Sequence, residues 1–362
     1  YFRLIIIFTG SNIFKMFLNN YQFLKKKEAF VLISLILISV LVRIPIILIL
    51  GDTNLENEWG ILVGNLINHG ILSYMSFDGF LLPNLWMPPL YAYYLYIFSF
   101  FNLEDQNYIM LILSSQILIA SISVAVFYKI NKLFFSQKIS FYSSLLLSLF
   151  PLYIYACSQI SSISLQVFLT ILYFYFFFKF VNKKNISSII LFSFTGGLLI
   201  LLRGEFWAIF ILSLFYLFLF FRISIKKILL IILVALITIS PYLVRNVLIF
   251  EKITVLESFG YNLWLGNHPV AIEDSFVEGS ELSDESLRAK VEAIPKDKFY
   301  RINFNKIFFD EAITNIMKEP TASLTFFIKK AISFVTINFS SHDPRYWNVF
   351  HYLPVLILGI TS

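Results

Sequence analysis

Charged residues are scarce in this chain. Asp, Glu, Lys and Arg make up 14% of its 362 residues, whereas a typical soluble domain has roughly 25%. Hydrophobic residue types make up 58%, more apolar surface than a soluble fold of this length could bury. The composition therefore predicts an integral membrane protein. Its net charge of +6 is interpreted as cytoplasmic loops facing anionic lipid, and no nucleic-acid partner is predicted.

Cysteine and glycine-rich nucleotide motifs are also lacking. The single cysteine, Cys157, excludes a disulfide framework and a cysteine-based metal site. Neither GxGxxG nor GxxxxGK[ST] occurs, which argues against an enzyme that uses a nucleotide sugar in the cytoplasm. His69 and His268 have no partner at metal-ligand spacing, so no histidine metal site is predicted.

Long apolar runs predict the membrane spans, each of which needs about 20 apolar residues. The candidates are 28–50, 108–128, 139–156, 160–178, 187–202, 205–221 and 228–249, with an eighth beginning near 350. The shorter, Tyr-rich run 89–101 follows two prolines and is predicted to be an interfacial or re-entrant helix. Because the chain stops inside an apolar run, it is interpreted as truncated at its C-terminus.

Lys and Arg residues fall on one side of this topology. The twelve topogenic residues are Lys25, Lys26, Lys27, Lys129, Lys132, Lys138, Lys179, Lys183, Lys184, Arg222, Lys226 and Lys227. The segment 51–107 contains no Lys or Arg at all. The positive-inside rule therefore predicts a cytoplasmic N-terminus and an extracytoplasmic first loop.

The predicted fold class is an all-α polytopic membrane protein whose outer loops carry interfacial helices. Its parts are a cytoplasmic segment 1–27, a transmembrane module 28–249 with the first outer loop 51–107, a large extracytoplasmic loop 250–349, and the start of a further span at 350–362. In the large loop, Lys329 and Lys330 interrupt an apolar pattern, which favours a helix lying on the outer surface. The sequence has no internal repeat of the transporter type.

Three acids follow the first span in the stretch GDTNLENEWG: Asp52, Glu56 and Glu58. One interpretation is that they are ordinary polar residues of a translocated loop. The other is a general base, because a partly desolvated carboxylate at the rim of a membrane cavity suits that role. Apolar residues at helical spacing and a stop at Gly70 place Glu58 in the first turn of an amphipathic helix. A divalent metal ion held by these acids is an alternative.

Two arginines, Arg203 and Arg245, lie at predicted outer helix ends, where the positive-inside rule gives no reason for them. Glu205 follows Arg203 at two residues, so a local ion pair or snorkelling is one interpretation. The other is binding of an anion such as a lipid phosphate, since the planar guanidinium fork matches phosphate oxygens.

The order of several motifs resembles the GT-C membrane glycosyltransferases. After the first span come NEWG, LWMPPLYAYYL, LLRGEFW, SPYLVRNVLIF and GYNLWLGNHPVAIEDSF, and the resemblance covers about residues 28–349. The sequence is most similar to the Rgt-like branch, which is related to the aminoarabinose transferase of lipid A and to the protein O-mannosyltransferases.

The resemblance implies an inverting glycosyltransferase of the bacterial inner membrane, active on its outer side. The donor would be a polyprenyl-phosphate sugar, and the acceptor a glycolipid, polysaccharide or protein of the cell envelope. Glu58 is the implied base, because Asn57-Glu58 stands where the family has two acids; Glu56 and Asp52 are weaker candidates. The residues implied in binding the donor or bordering the cavity are Arg203, Glu205, Arg245, Asn246, Asn262, Asn267 and His268.

The chain departs from the family pattern at two places. Met87 replaces a Lys that contacts phosphate in the aminoarabinose branch, and no carboxylate occurs between Tyr155 and Phe168, where many members have a second acid. Without the second acid, the resemblance leaves either a mechanism with a single base or a different class of acceptor. Two other hypotheses stay open: a transporter or flippase of lipid-linked sugars, and an inactive assembly subunit.

Overall fold

The computed structural model describes residues 27–55, 57–267, 285–335 and 347–361. Two of the predicted site residues, Glu56 and His268, lie outside the described residues. The helices in chain order are α1 (Lys27–Leu50), α2 (Glu58–His69), α3 (Pro89–Ser99), α4 (Asp105–Asn131), α5 (Gln137–Ser148), α6 (Pro151–Ala156), α7 (Ile163–Lys183), α8 (Ile186–Leu202), α9 (Phe206–Leu219), α10 (Ile225–Phe250), α11 (Phe259–Asn267), α12 (Glu285–Glu292), α13 (Tyr300–Lys318), α14 (Pro320–Val335) and α15 (Val349–Thr361). Strands β1 (Ser73–Phe77) and β2 (Phe80–Pro83) form one antiparallel hairpin.

Helices α1, α4, α7 and α10 are long and apolar enough to cross a membrane, and α8 and α9 are shorter apolar helices. These six helices lie at predicted spans, and the all-α polytopic fold class is confirmed. The predicted span 139–156 is instead divided into α5 and α6. Pro151 begins α6, where its missing N–H and fixed φ suit a helix start and interrupt the preceding helix. The domain boundaries and the sidedness of the loops stay predictions.

The chain folds as two compact units, of which one contains the chain up to Gly51 together with Leu113–Tyr175. Its core has two clusters of buried side chains. Leu35, Val124 and Tyr128 form the first, and Ala120, Tyr153 and Cys157 form the second. A hydroxyl pair, in which Ser121 Oγ donates to Ser39 Oγ at 3.0 Å, adds a polar contact in the same interior.

Arg43 of α1 is fully buried in this unit, and the positive-inside analysis overlooked it. Its Nη1 donates to Ser39 Oγ at 2.7 Å and to Ser148 O at 3.0 Å. Its guanidinium also lies 5.0 Å from the centre of the Tyr153 ring and 3.4 Å, through Nε, from Cys157 Sγ. Ser148 ends α5, where carbonyls lack helical partners and the helix dipole is negative. Arg43 therefore caps α5 at the break before α6.

The second unit contains Asp52–Ile112 and the chain from Phe176 onward. Its α2 begins with Asn57 as N-cap, whose side chain accepts a hydrogen bond from Trp59 N, and ends at Gly70 with φ of 69°. The predicted amphipathic helix at Glu58 is thus confirmed. The hairpin that follows was not predicted, although its turn, Asp78-Gly79 with φ of 47° and 84°, is the Asp-Gly sequence that favours a tight hairpin.

Helices α8 and α10 pack closely in the second unit. A Cβ atom added at Gly197 would lie 2.7 Å from Thr238 Cβ, so only glycine permits this approach. Short connections through α9 give α8 and α10 the same direction. Arg203 and Arg245 follow the crossing by six and seven residues, about 10 Å along the helix axes. The two arginines consequently lie at the same end of this helix pair.

The 250–349 region contains a third core, in which Trp264, Leu287, Phe308 and Ala312 are buried between α11, α12 and α13. Helix α14 follows, and its Lys330 Nζ donates to Gly266 O near the end of α11. Burial lowers the pKa of Lys330. Lys330, which interrupts the apolar pattern of α14, thus binds a backbone carbonyl. The placement of α14 on the outer membrane surface stays a prediction.

Arg43→Met removes the donors that cap α5, so we expect the α5–α6 break to open more often. The single cysteine of the chain reports this opening, because Cys157 is buried beside Arg43. The rate at which a maleimide modifies Cys157 in the detergent-solubilised protein should rise by about tenfold or more. Lys138→Met, at an exposed position, is the control. Equal rates in the wild type and the Arg43 variant would contradict the capping role.

Candidate active site

Asn84 organises the connection from β2 to α3. Its side-chain Oδ1 accepts hydrogen bonds from Trp86 N and Met87 N, both at 3.0 Å, and its Nδ2 donates to Met87 O at 2.7 Å. This closed turn leads directly into the proline pair that starts α3, as is typical of asparagine in turns. The backbone carbonyl of Asn84 is left to accept donors from another element.

Arg245 of α10 binds that carbonyl. Its Nη1 donates to Asn84 O at 2.8 Å and to Asn246 Oδ1 at 2.7 Å, and Tyr242 Oη donates to the same Asn84 O at 3.2 Å. Asn246 is fully buried, and its Nδ2 donates to Thr254 O at 2.7 Å. Asn246 therefore positions the arginine rather than facing a ligand. Among the described residues, only Nη1 of the guanidinium has hydrogen-bond acceptors.

A cavity of about 250 Å³ lies beside Arg245. Its lining residues are Pro89, Leu90, Tyr93, Leu201, Thr238, Pro241, Tyr242 and Arg245. Most of this wall is apolar, and the guanidinium supplies a formal charge. Burial raises the pKa of Tyr93, an effect that Arg245 partly offsets, so the phenol keeps its proton at neutral pH and can donate a hydrogen bond. Such a cavity suits an amphipathic anion.

Arg203 has a different environment from Arg245. It ends α8 as the C-cap residue, and its Nη1 lies 3.6 Å from Glu205 Oε1, with both side chains well exposed. Exposed ion pairs of this kind contribute about 1 kcal/mol or less. The local ion pair considered in the sequence analysis is therefore present, and Arg203 is not among the residues that line the Arg245 cavity.

Two of the three acids after α1, Asp52 and Glu58, are among the described residues. Glu58 is exposed in the first turn of α2, where a negative charge complements the helix dipole. Asp52 is half-buried and within electrostatic range of the fully buried Tyr91. Burial is the main cause that raises the pKa of Tyr91 well above its ordinary value, and the neighbouring Tyr94 and Asp52 raise it further. The Tyr91 ring also packs edge-on against Trp59, with centroids 4.8 Å apart.

Helix α3 contributes to the surroundings of both Arg245 and Asp52. Its Pro89, Leu90 and Tyr93 line the Arg245 cavity, and its Tyr91 is within electrostatic range of Asp52. Arg245 lies together with Asn246, and neither Asp52 nor Glu58 is among the residues that line the cavity. The ion pairs of the described residues do not include one between Glu58 and Arg203 or Arg245.

Asn262 and Asn267, the described members of the predicted large-loop residues, are not among the residues that line the Arg245 cavity. Asn262 is exposed on α11, and Asn267 Nδ2 donates to Leu263 O within the same helix. Their role at the cavity stays a prediction. Among the described residues, no group of three His, Cys, Asp or Glu side chains could hold a metal ion; Glu56, one of the three acids proposed as ligands, is outside that search.

Two buried arginines were missed by the sequence reasoning. Arg43 was detectable, because an arginine inside an apolar run of spanning length is unusual in itself. Arg301, in α13, is 7% exposed, and its sequence setting among charged residues gave no sign of burial. Arg301 contacts Tyr74 of β1 and Trp86. Because both residues are distant from Arg301 in sequence, the sequence could not indicate these contacts.

One family model matches the chain: residues 87–244 match that of the dolichyl-phosphate-mannose-protein mannosyltransferases. The matched region begins just before α3 and ends one residue before Arg245. The match covers less than half of the chain, and it confirms the resemblance to GT-C membrane glycosyltransferases. No curated protein and no solved structure matches the chain significantly.

Asn246→Ala removes the acceptor of Arg245 and the donor to Thr254 O inside a buried site. We expect the free energy of unfolding in detergent to fall by about 2 kcal/mol, since buried partners lose their hydrogen bonds. The same change at the exposed Asn262 is the matched control and should have little effect. If both variants have the same free energy of unfolding, the hydrogen bonds of Asn246 to Arg245 and to Thr254 O do not stabilise the fold.

Proposed function

We propose that the chain transfers a sugar, with inversion, from a polyprenyl-phosphate donor to a cell-envelope acceptor at the outer face of a bacterial inner membrane. The acceptor class is a glycolipid, a polysaccharide or a protein. The observation that carries the proposal is the Arg245 cavity, in which one fixed guanidinium faces an apolar wall. The family match supports the same donor class.

In this proposal, Arg245 binds the donor phosphate. Nη1 is held by Asn84 O and Asn246, so the rest of the planar fork is oriented toward a ligand at no further entropic cost. Leu90, Leu201 and Pro241 would contact the lipid next to the phosphate. The cavity is smaller than the roughly 300–1,000 Å³ of common ligand pockets, so most of the polyprenyl chain would stay in the membrane.

A carboxylate of the first outer loop would act as base. The half-buried position of Asp52 beside Tyr91 supports Asp52 over the exposed Glu58, although Glu58 and Glu56 remain alternatives. Inversion requires attack on the face opposite the leaving group. In this proposal, the base takes the acceptor proton on the face of the anomeric carbon opposite the phosphate that Arg245 holds.

The proposed reaction is a single displacement. The carboxylate takes the proton of an acceptor hydroxyl while that oxygen forms a bond to the anomeric carbon. The bond from this carbon to the phosphate oxygen breaks, and polyprenyl phosphate leaves with the electron pair. Arg245 stabilises the negative charge that grows on the phosphate, a contribution that needs a prearranged donor.

Arg245→Gln should lower kcat/KM for a polyprenyl-phosphate sugar by about 100- to 1,000-fold, because the charge on the leaving phosphate loses its stabilising donor. Arg245→Lys keeps the charge but not the fork, so we expect an intermediate loss of about tenfold. Arg222→Gln, at an exposed position in a predicted cytoplasmic loop, is the control. Donor consumption by the purified protein, read by mass spectrometry over a panel of donor sugars, measures each effect. Wild-type rates in the Arg245→Gln variant would exclude this site.

Comparison of the variants Asp52→Asn, Glu56→Gln and Glu58→Gln in the same assay identifies which of the three acids is the base. We expect Asp52→Asn to lose about 100-fold or more in kcat, because proton transfer by a positioned base contributes that much, while donor binding persists. The other two variants should stay within a few-fold of wild type. A selective loss in Glu58→Gln would instead identify Glu58 as the base. Full donor consumption in all three variants would exclude these acids as the base, whereas no consumption by the wild type would favour the transporter or flippase hypothesis.

A further inference from the structure

Arg301 lies among aromatic rings in the 250–349 region. Its guanidinium carbon is 4.6 Å from the centre of the Trp86 ring, 5.6 Å from Phe304, 5.8 Å from Tyr74 and 6.0 Å from Tyr300. The side chain is 7% exposed. These distances are typical of cation–π contacts, which occupy the faces of the guanidinium plane and leave its in-plane N–H donors unused.

The donors of Arg301 have no acceptor among the described residues. Arg43, Arg245 and Lys330 each bind a backbone carbonyl, but no hydrogen bond or ion pair joins Arg301 to a described group. Its nitrogens are also absent from the fully enclosed polar atoms that have no partner. The small exposed fraction of Arg301 therefore includes the donors themselves, which can reach a ligand.

The electrostatic setting of Arg301 favours an anion. It is the second residue of α13, at the positive end of the helix dipole, where a cation is unfavourable and an anion is stabilised. Lys296 lies over the Phe77 ring, which in turn contacts Tyr300, so a second cation is close by. Desolvation lowers the pKa of Arg301, and only tyrosines, not carboxylates, oppose that shift.

The surrounding rings provide a surface for a sugar. Trp86 packs against Tyr261 with centroids 5.1 Å apart, and both rings are half-buried, so part of each remains open. Aromatic rings combine a flat apolar face with a polar edge, which matches the alternating C–H and hydroxyl groups of a sugar ring. Trp86 N also binds Asn84, whose carbonyl holds Arg245. The aromatic cluster is therefore fixed by the same turn as the donor site.

We propose that Arg301, Trp86, Tyr74 and Tyr261 form an acceptor subsite for a sugar that carries an acidic group, either a carboxylate or a phosphate. The rings stack on the sugar, and the unused N–H donors of Arg301 bind the acid. This proposal rests on the proposed function, since it defines the class of its acceptor.

Binding to the detergent-solubilised protein tests the subsite without any transfer. The probes are a glucuronic-acid disaccharide, a phosphorylated disaccharide and a matched neutral disaccharide, with affinity read from tryptophan fluorescence and saturation-transfer NMR. Wild type should bind at least one acidic probe about tenfold more tightly than the neutral one. The two acidic probes distinguish a carboxylate ligand from a phosphate ligand. Equal affinity for all three probes overturns the proposal.

Variants test the role of Arg301 itself. Arg301→Gln should abolish the preference for acid, whereas Arg301→Lys should retain part of it. Arg288→Gln is the matched control, because Arg288 is exposed and pairs with Glu292 in the same region. An acid preference that persists in Arg301→Gln overturns the proposal. If Arg301→Gln does not fold, the wild-type comparison and the Arg301→Lys variant still decide it.

The failure of the subsite is distinguishable from failure of the proposed function. Asp52→Asn should bind the acidic probe like wild type, because the subsite does not depend on the base. If donors are consumed but acidic and neutral acceptors are used equally, the subsite is wrong and the transferase is retained. If no donor is consumed while Arg301-dependent binding persists, the proposed transfer is wrong and the anion site remains.

Discussion

The hydrogen bond from Arg245 to the carbonyl of Asn84 is the contact on which the candidate site depends. It joins α10 to the turn between the hairpin and α3, and Asn246 holds it from the other side. In apolar surroundings, neither a backbone carbonyl nor a guanidinium can be left without a partner. Each therefore fixes the other, and the remaining guanidinium donors of Arg245, which lines the cavity, have no acceptor among the described residues.

Three cations outside the predicted cytoplasmic loops, Arg43, Arg245 and Lys330, donate hydrogen bonds to backbone carbonyls. Arg43 caps the end of α5, and Lys330 binds the end of α11. Such pairs avoid burying a second full charge, and the carbonyls at helix ends already carry partial negative charge. Arg203, at an exposed helix end, has the weaker alternative of an ion pair with Glu205. Arg301 differs from all of these because its acceptor is absent from the described chain.

Apolar run length was enough to predict six apolar helices, four of them long enough to cross a membrane, and helical spacing with Gly70 was enough to predict α2. The sequence indicated the local pair of Arg203 with Glu205, but it could not show that Arg245 binds Asn84, because these two residues are far apart in sequence. Nor could it show that Asp52 is half-buried while Glu58 is exposed, because burial depends on packing between segments. The Asp78-Gly79 turn and Pro151 did signal a hairpin and a helix break, but the apolar pattern was given more weight.

The most direct test of the account is whether Arg245 binds a lipid phosphate. The ³¹P resonance of a polyprenyl monophosphate, the leaving product of the proposed reaction, can be followed during titration with the purified protein in detergent. The account predicts a shifted, bound resonance with the wild type and with Glu205→Gln, and its loss with Arg245→Gln. An identical bound resonance in the Arg245→Gln variant would contradict the account.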